Sequence, residues 1–225
     1  MKRSIKVSRI CALCMAVMIC LSGCGKDFDA AGYVQAILDL TFQGDISRAS
    51  EFMEEASGES LMRAYQDSID RFVAANITSG MEIGELKTTR FADLVSQMFM
   101  TMRYSVGDAD QTGRKEYEVS VDIWPADVFI RFRQFLVADS VKMAEKIEAG
   151  EYKGATEEET DQMILNDIVN HAYELLDTAC MDIGFGEKET VVLRVNAEKG
   201  QEYSVDEDDM DGLIRKILRL DEIQG

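Results

Sequence analysis

The chain of 225 residues contains one histidine, one proline and one tryptophan, and its 24 Lys and Arg are outnumbered by 42 Asp and Glu. A lone histidine, His171, excludes an H-E-x-x-H zinc site, a His-rich metal centre and any mechanism needing a second imidazole beside a Ser-His or Cys-His pair. G-x-S-x-G, Walker A and dinucleotide fingerprints are missing too, so no cofactor is expected. The shortage of positive charge argues against a nucleic-acid partner, because an acidic surface repels phosphate out to a Debye length of about 8 Å at physiological salt. No apolar run reaches the roughly 20 residues that a membrane-spanning helix requires.

The longest apolar run, Ile10 to Leu21, has twelve residues and follows a segment with four positive charges (Lys2, Arg3, Lys6, Arg9) and no acid. A basic start, a short apolar core and a small-residue exit describe a secretory signal. This one ends in Leu21-Ser22-Gly23-Cys24, which resembles the lipobox of bacterial lipoproteins. The resemblance implies that the Cys24 sulfur receives a diacylglyceryl group and that the Gly23–Cys24 peptide bond is then cut. Ser22 and Gly23 are small enough to let the backbone enter a tight protease site, and Cys24 supplies the nucleophile. Two acyl chains, at about 0.8 kcal/mol per buried CH₂, anchor a protein stably where one is marginal. The expectation is a signal peptide over 1–23, a lipidated cysteine and short tether over 24–29, and a single domain over 30–225. The partner is the lipid bilayer, reached through Cys24, with the chain facing outside the cytoplasm.

Removal of 1–23 takes four of the 24 basic residues and none of the 42 acidic ones, leaving 20 against 42, a net of −22. Cys11, Cys14 and Cys20 leave as well, so with Cys24 acylated Cys180 has no disulfide partner. Such an exported chain must rely on its core. Cys180 lies among apolar neighbours and reads as a small hydrophobe rather than a reactive thiol.

Beyond the tether, Asp29 is a candidate N-cap, and Tyr33, Val34, Ile37, Leu38 and Thr41 form a helical stripe closed at Gly44, with Asp45 placed to cap the next helix. Ile46, Ala49, Phe52 and Met53 give a short second helix. Leu61, Tyr65, Ile69, Phe72 and Val73 give a third, and Phe91 through Met102 a fourth. The period then changes from 3.6 to 2: Glu116 to Ile123 alternates without a slip, as a half-buried strand requires. Met102, Tyr104 and Val106 lead into its partner, with Gly107 to Arg114 as the turn, and Trp124-Pro125 ends the strand. Helices follow with inner faces at Phe129, Phe132, Leu136, Met143 and Ile147, and then at Ile164, Ile168, His171, Leu175 and Ala179, the latter opened by a capping box at Thr156 to Glu159. Thr190–Val195 and Gln201–Val205 make a second hairpin, and a last helix buries Leu213, Ile214, Ile217 and Leu218. The order is that of an α+β fold: a helical cluster packed on a small antiparallel sheet built from two β-hairpins.

The layout also resembles a group of small lipoproteins of Gram-positive-type bacteria without an assigned function. The likeness lies in "GYVQAILDLTFQGD", "YSVGDADQTGRKEYEVSVDIWPADVF" and "ETVVLRV…YSVDEDDMDGL". It implies the architecture and transfers no catalytic residue.

Two acidic stretches, Asp108 to Gly113 and Glu207 to Gly212, have the look of a calcium loop. The twelfth position of each, Val119 and Leu218, is apolar where a bidentate Glu is needed, and no metal site is expected. The second reads instead as a helix N-terminus whose Asp206, Asp208 and Asp209 complement the macrodipole. Tyr104, Tyr117 and Trp124 are the candidate ligand-binding residues, able to stack on a sugar or peptide; the competing account is core and edge packing. The functional expectation is a non-catalytic binding or accessory module with a protein or peptide partner at the cell surface. The alternatives are a cell-envelope glycan hydrolase with paired carboxylates and a solute receptor for a transporter.

Overall fold

The structure, a computed structural model, describes residues 28–52, 56–78, 81, 83–197 and 203–223. Gly23 and Cys24, with the whole signal segment and the tether up to residue 27, lie outside the described residues.

Asp29 caps the first helix as expected, its carboxylate accepting from the Gly32 N–H at 2.8 Å, and α1 runs Ala30–Leu38. The helix does not end there but widens into a π-helical turn over Asp39–Gln43. Gly44, at φ 63°, closes it, its N–H returning to Leu40. Asp45 does not cap the next helix. Its carboxylate accepts from the Ser47 N–H two residues on, an Asx-turn that delays α2 to Ala49–Phe52. Ser57 caps α3 (Gly58–Asn76), and α4 covers Glu85–Phe99.

The strands are β1 (Arg103–Gly113), β2 (Glu116–Trp124), β3 (Glu189–Ala197) and β4 (Tyr203–Val205), in the antiparallel order β1-β2-β3-β4. The two hairpins therefore join, through a β2–β3 register that runs without a slip from Glu116↔Asn196 to Ile123↔Glu189. The expected turn over Gly107–Arg114 is corrected: most of it is strand. Two register shifts, between Val106 and Ala109 and between Gln111 and Gly113, take up Gly107-Asp108 and Thr112, and the turn contracts to Arg114-Lys115, with Lys115 at φ 64°. One face of β2 and β3 is the core side, where Val119, Val121, Ile123, Leu193 and Val195 are buried, and α1 packs on β1 and β2.

Two long helices, α5 (Val128–Glu148) and α6 (Glu157–Met181), pack side by side in opposite directions. Phe129, Phe132 and Met143 are buried on α5, but Ile147 is 44% exposed. On α6 Ala179 is buried as expected, but the other buried positions, Val169, Ala172 and Leu176, lie one residue round from Ile168, His171 and Leu175, and Ile168 is exposed. The apolar arc of α6 is wide enough, with Ile164, Leu165, Ile168, Val169, Leu175 and Leu176, to fit either rotation. The final helix, α7 (Glu207–Ile217), buries Leu213, Ile214 and Ile217 as expected, and Leu218 just beyond it.

The described residues form seven α-helices and one four-stranded antiparallel sheet, an α+β architecture. They fall into two compact units, one holding the chain up to Trp124 with Lys188–Ile214, the other Pro125–Glu187 with the chain from Arg215 on. In the first, the helical cluster and the sheet share a core. In the second, the α5–α6 pair is joined to the segment around Ala126, whose N–H donates to Ile217 and which bridges to Phe185. None of the described helices is long and apolar enough to cross a membrane.

Candidate functional site

Aromatic rings from three parts of the first unit meet where the chain enters α1. Phe28 stacks flat on Tyr203, with centroids 3.6 Å apart, and lies 5.7 Å from Tyr33 and 5.5 Å from Tyr117. Tyr33 meets Phe52 edge-on and donates its hydroxyl to the Tyr203 carbonyl at 3.0 Å, and burial pushes that hydroxyl's pKa well up. Phe28 precedes the N-cap Asp29, and Tyr33 is the fourth residue of the helix, so the Phe28–Tyr33 contact is a hydrophobic staple. The staple fixes the angle at which the chain enters the fold. The sequence signal was an aromatic residue lying between two aspartates just before a cap, and reading it only as part of a tether missed it.

The three candidate ligand-binding residues do not form one site. Tyr104 pairs with Ile123 at one end of the first hairpin, whereas Tyr117 pairs with Gln111 near the other, about 20 Å away along β2 at 3.3 Å per residue. Tyr117 belongs to the aromatic junction. Trp124 alternates to the opposite face from Tyr117 and is half-buried. Tyr104 donates its hydroxyl to Asp39 at 2.7 Å, receives a bond from Gln43 at 2.9 Å and packs on Phe42. Burial, then the neighbouring carboxylate, raise its pKa. Asp39, buried at the start of the π-helical turn, also accepts from Gln35 at 2.6 Å, with Arg48 at 3.9 Å. A buried carboxylate needs such donors, and this network ties α1 to β1.

The second unit holds the only histidine. His171 Nδ1 lies 2.9 Å from Asp139 on α5 and its Nε2 3.7 Å from Asp167, one turn earlier on α6. Asp167 in turn accepts from the Tyr152 hydroxyl at 2.5 Å and from Lys146 at 3.3 Å. The Tyr152 bond first, then Lys146 and His171, hold the Asp167 pKa below the usual carboxylate range despite partial burial. The same bond pushes the Tyr152 hydroxyl up to about 12. Both imidazole nitrogens thus face carboxylates, and the cluster clamps α5 to α6. Near the end of α6, burial and Asp177 push the Cys180 thiol up to about 12, which disfavours the reactive thiolate.

A third cluster lies at the start of α7. Arg194 on β3 grips Asp209 through two parallel bonds of 2.7 and 2.8 Å and reaches Asp206 at 2.9 Å, while its backbone N–H donates to Asp209 at 3.0 Å. Asp206 caps the helix by accepting from the Asp209 N–H. Burial opposes ionisation of Asp209, but Arg194 outweighs it and lowers the pKa. The acidic run is therefore more than a dipole complement; it is a two-carboxylate seat for one guanidinium. Among the described residues, no group of three or more His, Cys, Asp or Glu side chains has the geometry to hold a metal ion.

No protein-family model matches the chain, and no curated protein matches it. A solved structure with partial likeness is the crystal structure of a "putative lipoprotein (ycdA)" from Bacillus subtilis subsp. subtilis str. 168, at 14% identity and a TM-score of 0.48. The alignment covers 84% of this chain and 56% of that one. The chain thus spans little more than half the length of that protein.

Proposed function

We propose that this protein is a membrane-anchored, extracytoplasmic lipoprotein that works as a non-catalytic binding or accessory module for a protein or peptide at the cell surface. The observation that carries the reading is Leu21-Ser22-Gly23-Cys24 behind a basic and then apolar segment, with Phe28, which is packed on Tyr203, only four positions further on. Packed structure lies within four residues of the acylation site, so attachment displays the fold directly. The absence of catalytic motifs from the sequence favours presentation over catalysis. So do the clustered carboxylates: Asp139 and Asp167 close on His171, and Asp206 and Asp209 close on Arg194, so neither pair is left open to a substrate.

The test is metabolic labelling with a radioactive fatty acid and cell fractionation. The wild-type chain takes up label and sediments with membranes, and Cys24→Ala loses the label and accumulates as unprocessed precursor. A Cys24→Ala chain that is processed and membrane-extracted like the wild type overturns the anchor.

A further inference from the structure

The anchor reading specifies where the lipid is joined, and the aromatic junction adds which end of the sheet meets it. From Cys24 to Phe28 there are four residue steps, spanning at most about 14 Å however they run. Phe28 is not a loose end at the close of that span. It is stacked on Tyr203, is in ring contact with Tyr117 and Tyr33, and is stapled to α1. A long polar linker would let the domain tumble beneath its anchor, whereas a four-step link ending on a packed ring keeps this end of the sheet close to the headgroups.

The surface next to the junction has the chemistry to stay there. Two residues before Tyr117, the β1–β2 turn carries exposed Arg114 and half-buried Lys115, and the Lys115 carbonyl accepts from Ala197 on β3. Neither cationic side chain forms an ion pair with another described residue, and Glu116 is the exposed acid beside them. In a chain whose processed form carries −22, two cations without an ion-pair partner among the described residues, on a turn next to the anchored end, match the phosphate of lipid headgroups.

We infer that the sheet end formed by the Arg114-Lys115 turn and the Phe28–Tyr117–Tyr203 junction is a bilayer-docking surface that takes lipid phosphate. The inference rests on the lipoprotein reading and adds an orientation to it: β1 runs away from the bilayer from Gly113 towards Arg103.

The test uses the full acylated protein, with Cys180→Ser, reconstituted in vesicles of phosphatidylcholine and phosphatidylglycerol in about equal parts. A thiol-reactive fluorophore is placed at Thr112→Cys or at Ser105→Cys. Both sites are exposed, and they are about 23 Å apart along β1. A headgroup-attached quencher is expected to quench the label at 112 several-fold more than the label at 105. The charge-reversed pair Arg114→Glu and Lys115→Glu is expected to weaken quenching at 112 in these vesicles, and to weaken it less in pure phosphatidylcholine, where choline offsets the charge of each phosphate. A six-residue Gly-Ser insertion after Cys24 is expected to bring the two labels together. Equal quenching at 112 and 105 in protein that floats with the vesicles overturns the orientation alone. Quenching at 112 that ignores charge reversal overturns phosphate recognition, and protein that carries no lipid and does not float overturns the anchor and the orientation with it.

Discussion

Tyr152, in the link between α5 and α6, donates to Asp167 on α6 at 2.5 Å, and each shifts the other's titration. The folded chain holds the Tyr152 proton up to about 12, against a usual tyrosine value of about 10. A hydroxyl whose pKa rises on folding favours the native state while it stays protonated, so its contribution is complete below about pH 10 and is lost as pH climbs towards about 12. Asp167 is shifted the other way. Its contribution is present above the ordinary carboxylate range and falls away as acid protonates the folded state. Tyr152→Phe removes the first effect and weakens the second, since Lys146 and His171 stay beside Asp167. Urea midpoints taken across the alkaline range should fall more steeply with pH in the wild type than in Tyr152→Phe, and the acid limb should begin at higher pH in the variant. Parallel curves would mean that the hydrogen bond does not survive in solution.

At the scale of elements, legibility in the sequence followed the width of the apolar pattern. The alternation in β2 allowed one register face only, since a slip of one residue would turn Val119, Val121 and Ile123 to solvent. The arc on α6 admitted two rotations a residue apart, and packing on α5 selected the one that buries Val169 and Leu176 and leaves Ile168 and His171 towards the edge. The Gly107–Arg114 stretch was misread because its Asp and Gly residues suit a turn and a bulged strand equally, and pairing with β2 decides between them. Asp39 and Arg194 gave no local signal, and Asp209 gave only that of a helix start, because each is placed by a partner far away in the sequence or on another element. The close of the first helix was legible, and it makes a prediction. Gly44 sits at φ 63°, and a Cβ there would come within 3.0 Å of the Tyr65 ring. Gly44→Ala should therefore cost about 1–2 kcal/mol from the left-handed backbone alone, and crowding of Tyr65 should add to it. The expected readout is a lower urea midpoint with an unchanged slope. An unchanged midpoint would mean that the π-helical turn can end without this conformation.

For the whole molecule the dominant fact is charge. With 42 acidic residues against 24 basic ones, the folded chain repels itself, and the ion pairs gathered around Asp122, Asp167, Arg194 and Arg219 offset this only locally. Most of those pairs are exposed, where each is worth at most about 1 kcal/mol, so screening of the long-range repulsion should outweigh their weakening. Monovalent salt should then raise the melting temperature. Calcium offers a sharper version of the same experiment, because the two acidic stretches that look like calcium loops have other roles in the fold. Asp108 to Gly113 is bulged strand, and Asp206 and Asp209 are occupied by Arg194. At matched ionic strength, calcium and sodium chloride should therefore give nearly the same melting temperature, and Arg194→Ala should be the variant in which they diverge. That substitution empties the seat between two carboxylates at a helix start and leaves their charge to any cation that fits. A calcium-specific rise of several degrees in the wild type would instead mean that the acidic surface holds a site of its own, and the charge would have to be read as binding capacity as well as repulsion.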